Sequence, residues 1–169
     1  MDKDKERSEI TILDFSPERA RFFERLNREW IERYFEMEPP DYLMLQNPET
    51  QIIEKGGAVL FAATADGEIV GTLALIPAGE DCLELAKMAV AETAQGRGIG
   101  GLLGEAAVMR AREMGAKRVI LYTNMLLQPA IRLYRRLGFQ EIPVEKNYYN
   151  RADFKMAMNF DDGQKEYDK

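Results

Sequence analysis

The sequence predicts one α/β (α+β) domain with a single mixed, mostly antiparallel central sheet of about seven strands flanked by about four helices. Three observations lead to this fold class. Strand-length and helix-length segments follow one another in the order β, α, α, β, β, β, α, β, α, β, β. Ala65-Asp66-Gly67 separates two apolar runs in the manner of a hairpin turn. A glycine-rich run, Gln95-Gly96-Arg97-Gly98-Ile99-Gly100-Gly101, stands where a strand-like stretch gives way to a helix-like one.

The elements follow in order. Residues 1–8 and 161–169 carry no apolar period and are expected as flexible tails around a domain at 9–160. Residues 9–15 alternate enough for a first strand. Ser16 suits a helix N-cap and Pro17 the first turn. Phe22, Phe23, Leu26, Trp30, Ile31, Tyr34 and Phe35 then mark one core-facing stripe. Pro39-Pro40 is expected to end that region, with a short helix over 41–46 stopped before Pro48. Residues 58–64, 68–76 and 82–90 read as three consecutive antiparallel strands. A helix over 98–114 closes at Gly115, and 118–124 is a buried strand. A second amphipathic helix covers 128–137, and 139–144 and 153–160 are expected to pair as the last strands.

Bulk properties exclude several classes. A chain of 169 residues with 46% hydrophobic and 31% charged residues is long enough for one packed core. No apolar run approaches the roughly 20 residues that span a bilayer, and no signal-like apolar segment follows Met1. The lone cysteine, Cys82, permits no internal disulfide, so a cytoplasmic protein with no membrane role is expected. With 29 acidic against 23 basic residues, nucleic acid is not the expected partner. Histidine is absent, which removes serine–histidine and cysteine–histidine nucleophiles and leaves no ordinary zinc ligand set. No metal site is expected. Proton transfer must fall to Asp, Glu, Tyr, Lys, Cys or a water chain.

Glycines at a strand-to-helix junction let backbone N–H groups approach a ligand, and the helix N-terminus favours an anion. The run therefore points to a phosphorylated cofactor. Gly96 to Gly101 literally matches the dinucleotide pattern G-x-G-x-x-G. That pattern needs an acidic residue about 20 positions on to hold a ribose, and Asp and Glu are absent from 114 through 140. No Lys-Ser or Lys-Thr follows the glycines, so a Walker loop is a worse fit. Gly100, Gly101 and Gly104 each cost about 1 kcal/mol relative to Ala inside a helix, which implies a close approach to something.

The same run also fits Q-x-x-G-x-G through Gln95, Gly98 and Gly100. Asn124 and then Ala130-Ile131-Arg132-Leu133-Tyr134-Arg135-Arg136-Leu137-Gly138-Phe139 follow it. Residues 83–139 resemble the core of the GNAT superfamily of N-acetyltransferases, and 9–76 resemble it more loosely. The resemblance implies the acyl-CoA N-acyltransferase fold and acetyl-CoA as co-substrate, with its pyrophosphate cradled by Gln95, Gly96, Arg97, Gly98, Ile99, Gly100 and Gly101. It implies that Met88, Ala89 and Val90 pair with the pantetheine arm like an added strand, one N–H serving an oxyanion. Asn124 is similar to the family asparagine that holds that arm or the neighbouring loop, although a strand-end cap would look the same. Ala130, heading the second motif, joins the implied cofactor contacts.

Acetyl transfer to an amine needs a base, a stabilised oxyanion and a proton for the departing thiolate. Glu84 is the candidate base: it interrupts an apolar strand eleven residues before Gln95, a spacing at which several family members place a catalytic glutamate. Burial would raise its pKa usefully. A rim carboxylate outside the cleft is the alternative. Tyr134 lies near the apolar stripe of its helix, and the resemblance places it beside the cofactor sulfur as the acid. A core tyrosine with a satisfied hydroxyl is the other reading. Cys82 shares the strand parity of Glu84, yet a lone strand cysteine is usually a small hydrophobe, so direct transfer in a ternary complex is favoured.

The acceptor is an amine: a small amine, an amino-acid-like molecule or a peptide amine. Residues 30–46 are expected to wall its site. Glu29, Glu32, Glu36, Glu38 and Asp41 either attract a cation there or form a solvated helix face. Tyr148 and Tyr149 either close over the acceptor or pack within their loop. A homodimer is compatible with such a fold. The rival function is a non-catalytic acyl-CoA-binding or sensory module.

Overall fold

The computed structural model describes residues 9–145 and 151–160. One sheet runs through it, in the order β1 (Thr11–Asp14), β2 (Ala58–Ala63), β3 (Ile69–Pro77), β4 (Cys82–Val90), β5 (Arg118–Thr123), β7 (Phe154–Asn159) and β6 (Gln140–Ile142). Every neighbouring pair is antiparallel except β4 and β5. The expected seven-stranded mixed sheet is therefore present, and the terminal hairpin inserts β7 rather than β6 beside β5.

Four α-helices cover the sheet among the described residues: α1 (Ala20–Tyr34), α2 (Pro39–Gln46), α3 (Ile99–Glu113) and α4 (Gln128–Leu137). Leu60, Leu73, Leu85, Leu121, Leu103 and Ile131 form the core under α3 and α4. Phe23, Leu26, Ile31, Leu45, Val59 and Phe61 form the core under α1 and α2. Residues of β2 belong to both, so this strand is buried on both faces and reads as the continuous apolar run AVLFAA.

Two local expectations need correction. Pro39 and Pro40 open α2 instead of ending the preceding region, because proline's missing N–H costs nothing in a first helical turn. Glu38 and Asp41 complete the start as a reciprocal capping box. Tyr34, expected on the core-facing stripe of α1, is 60% exposed, while Trp30 and Phe35 on either side of it pack against the core. Residues Glu49–Ile53, which the sequence leaves unassigned, form a π-helical turn.

Strand β4 is not regular. Leu83 and Leu85 pack into the α3/α4 core, and so does Met88, although strict alternation would send Met88 to the opposite face. The extra residue is Lys87, with φ +54°, opposite a register break on β3 between Thr72 and Ala74. This bulge turns Lys87 to the α1/α2 side, the side that also carries Glu84.

Candidate active site

Strands β4 and β5 pair only over Cys82–Arg118, Leu83–Val119 and Glu84–Ile120. Beyond Glu84 they splay, leaving one edge of β4 without a β5 partner. A cavity of about 730 Å³ fills the opening. That lies within the range of roughly 300–1,000 Å³ usual for ligand sites. Met88, Ala89 and Val90 line it from β4, Asn124 from the end of β5, and Ala130 and Tyr134 from α4.

The glycine-rich run closes one end. Gln95, Gly96, Gly98, Ile99, Gly100 and Gly101 all line the cavity. Gly96 and Gly98 have φ +80° and +79°, left-handed conformations that glycine adopts without strain. A Cβ at Gly96 would meet nothing within 4 Å, so that backbone faces open space. The first intrahelical bond of α3 is Leu102 N–H to the Gly98 carbonyl at 3.2 Å, leaving the preceding amides as first-turn donors. Exposed amides at a helix start beside an open strand edge suit a pyrophosphate joined to an amide-bearing arm. The residues present fit coenzyme A.

Two details differ from expectation. Arg97 is half-buried and does not line the cavity, so the cradle's polarity comes from the backbone rather than from this guanidinium. The helical glycines serve a different close approach from the one expected. A Cβ at Gly104 would come within 2.4 Å of Leu137 Cδ1, and one at Gly100 within 3.2 Å of Leu133 Cδ2. They let α3 and α4 pack tightly, which fixes the cavity wall and not the ligand.

Tyr134 is 8% exposed, and its ring sits edge-on to Phe139 with centroids 6.1 Å apart. Its hydroxyl crosses the splay to the Met88 sulfur at 4.0 Å. Burial pushes the phenol up to about 12, so it holds its proton throughout the physiological range. Glu84 also lines the cavity, and burial raises its carboxyl while Lys87 and Lys155 act in the opposite sense. Acid and base candidates therefore share one opening.

Glu84 and Tyr122 also line a second groove, of about 1120 Å³, which runs down the α1/α2 face past Met44, Ile120 and Lys155. Tyr122 O–H and Lys155 both donate to Glu145, the latter at 2.6 and 2.8 Å. Those bonds hold the Glu145 carboxyl at about 2. Cys82 borders this groove and not the cofactor cavity.

The wall nearest α2 is a charged cluster that no sequence pattern announced. Asp41 is completely buried. Its Oδ1 accepts from Lys87 Nζ at 2.5 Å and from Arg151 Nη2 at 2.6 Å. Its Oδ2 accepts from Arg151 Nη1 at 2.8 Å and from the Glu38 N–H at 2.8 Å. Burial alone would raise this carboxyl, but the bonds from Arg151 and Lys87 outweigh it and hold it at about 2. Glu38 accepts from Arg151 as well, at 2.9 Å. Asp41 and Glu38 are thus committed to internal cations, which is neither the attraction of a substrate amine nor the solvated helix face that the sequence offers. Asn124 joins the cluster through its Nδ2, which donates to the Arg151 carbonyl at 2.5 Å, while its Oδ1 accepts from Leu126 N–H. It holds the neighbouring loop and caps the turn at once.

Trp30, Tyr34 and Phe35 at the end of α1 line the cavity. Arg33 pairs with Glu92, tying α1 to the turn before the glycine run. Tyr148 and Tyr149 lie outside the described residues. Among the described residues no group of three metal-ligating side chains converges, and no helix is long and apolar enough to cross a membrane.

An anion cradle of backbone amides, a strand edge opened by splay and a buried phenol across the gap define an acyltransferase type of cleft. The chain belongs to the acetyltransferase (GNAT) family, whose sequence model matches residues 20–139. This bears out the resemblance carried by the two motifs. The uncharacterised N-acetyltransferase YjgM of Escherichia coli is 32% identical over 111 residues, covering 64% of this chain and 66% of that protein. The chain spans between 40% and 66% of the length of the first curated relatives it matches. A GNAT-family acetyltransferase from Staphylococcus aureus shares the fold with a TM-score of 0.80 at 21% identity, over 89% of this chain and 98% of that one. A spermidine N-acetyltransferase from Vibrio cholerae, solved with CoA and spermine, matches with a TM-score of 0.70 at 21% identity, over 90% of this chain and 96% of that one.

Proposed function

We propose that this chain is an acetyl-CoA-dependent N-acetyltransferase that moves an acetyl group to a primary amine by direct transfer in a ternary complex. One observation carries the reading: the Tyr134 hydroxyl projects into the splay toward Met88 while Glu84 lines the same opening from the other side. The bound donor supplies a thioester activated toward amines. The amides of Gly96 to Gly101 bind its pyrophosphate, and the free edge of Met88 to Val90 orients the arm.

The amine enters from the second groove, because Glu84 and Tyr122 are shared by both spaces. Glu84 takes the amine proton as the N–C bond forms, a β4 amide steadies the carbonyl oxygen, and the C–S bond breaks. Tyr134 then gives its proton to the leaving sulfur and is reprotonated from solvent. Its raised proton affinity keeps the phenol protonated until the sulfur departs.

Thiol release from acetyl-CoA, measured against amino acids, short peptides and polyamines, tests this. Turnover with at least one amine, first order in enzyme, supports the proposal. Coenzyme A binding without turnover across the whole panel favours a non-catalytic acyl-CoA-binding module.

A further inference from the structure

We propose that Lys87 is a positioning residue for Glu84: the β4 bulge turns its ammonium onto the face of the sheet that carries the carboxylate, and Asp41 fixes it there. This rests on Glu84 acting as the base. The observations are independent of that role. A regular β4 would aim Lys87 at the α3/α4 core, the side that takes Leu83 and Leu85, where an ammonium would lie among apolar side chains. Instead the strand accepts a left-handed backbone at a non-glycine residue, a strained state that persists where the surroundings enforce it. The ammonium is 8% exposed, lines the catalytic cavity and is bonded to a wholly buried carboxylate.

Arg151 bonds both oxygens of Asp41 and also Glu38, so Asp41 is shared between Arg151 and Lys87. The ammonium of Lys87 is held on the Glu84 side of the sheet by this bond. The groups that face Glu84 can be named element by element. On β4 they are Lys87 and Cys82, on β5 Tyr122 and Arg118, and on β7 Lys155. Lys155 is bonded to Glu145, Arg118 is exposed, and among the described residues α2 lines the groove with Met44. Lys87 is thus a buried cation on this face, fastened by Asp41, that acts on Glu84. Burial disfavours the Glu84 carboxylate and Lys87 acts in the opposite sense, favouring the ionised form of a desolvated base.

Carbon-13 NMR titration of the glutamate side chains of the full chain tests this, with the Glu84 signal identified by its loss in Glu84→Gln. Lys87→Gln is expected to move the Glu84 midpoint upward by about 0.5–1 pH unit, and Lys87→Arg to restore most of the shift. The acid limb of kcat/KM should move in the same direction for whichever amine is turned over. A midpoint unmoved in folded Lys87→Gln overturns the proposal. So does a midpoint raised equally in Lys87→Arg, which would signify lost packing rather than lost charge. Should Lys87→Gln fail to fold, the wild-type protein decides: its Lys87 Nζ signal, assigned by its loss in Lys87→Arg, must step at the Glu84 midpoint, and Glu84→Gln must abolish the step. No such step overturns the proposal. An acid limb that survives in Glu84→Gln instead removes Glu84 as the base, whatever the titrations give.

Discussion

The proposed cofactor side of the cleft and the wall nearest α2, on the proposed acceptor side, are built from different materials. On the proposed cofactor side the cavity is lined by backbone: the amides of Gly96 to Gly101 and the edge of Met88 to Val90 that β5 leaves open. On the proposed acceptor side it is walled by side chains that converge from α2, β4 and the segment before β7, fastened by Asp41. Backbone recognition depends on conformation and tolerates side-chain change. A buried ion cluster behaves in the reverse way, because each partner is indispensable to the others once water is excluded.

The largest expected effect tests the acceptor side. Asp41→Asn leaves Lys87 and Arg151 buried without their shared counterion, and should destabilise the fold by about 3–5 kcal/mol in chemical denaturation. A loss below about 1 kcal/mol would mean the cluster is not a fastening. Next comes the chemistry at the junction of the two sides. Tyr134→Phe should lower kcat by about 10²–10³-fold with coenzyme A binding unchanged, the scale of one general acid. An unchanged rate under chemistry-limited conditions would remove Tyr134 from the mechanism.

The same cluster predicts an acid-sensitive fold. Asp41 is held at about 2 against an ordinary 3.8, so its folded form binds its proton less tightly than the unfolded chain does. The associated stability is fully present above about pH 4 and is lost as pH falls toward 2. It amounts to on the order of 2 kcal/mol, which denaturant midpoints across that window would record. Asp41→Asn should flatten this part of the profile.

The cofactor side is sharpened by a paired substitution within one loop. Gly98→Val forces a β-branched residue to φ +79° at the start of α3, a strain of about 1–2 kcal/mol that should weaken coenzyme A binding roughly tenfold in calorimetry. Arg97→Ala, one residue away, should change that affinity by no more than about fivefold, the size of an exposed charge contact. Equal losses from both would break the distinction between backbone and side-chain recognition.

The cofactor side was also the side legible in the sequence. Gln95 to Gly101, Asn124 and Tyr134 stand in short local patterns, and all of them except Arg97 reach the cavity. Glycine at a strand-to-helix junction is a local conformational statement, so it can be read without knowing the neighbours. Even here one inference misplaced its cause. The small size of Gly104 answers Leu137, thirty-three positions away, and not a ligand.

The acceptor side resists such reading for the same physical reason. Asp41 lies among Glu29, Glu32, Glu36 and Glu38 and looks like one more solvated acid. Its partners stand 46 and 110 positions away. Lys87 alternates in the sequence as if aimed at the opposite core, and only the register break against β3 turns it over. Alternation and glycine placement are local properties of the chain, so the amino-acid sequence by itself determined most of the strands and helices and the glycine-rich turn, while the family resemblance singled out Tyr134 and Glu84 as candidates. Which carboxylates are neutralised, which way Lys87 points and where the strands part depend on long-range pairing and exclusion of water, and only the tertiary structure decided them.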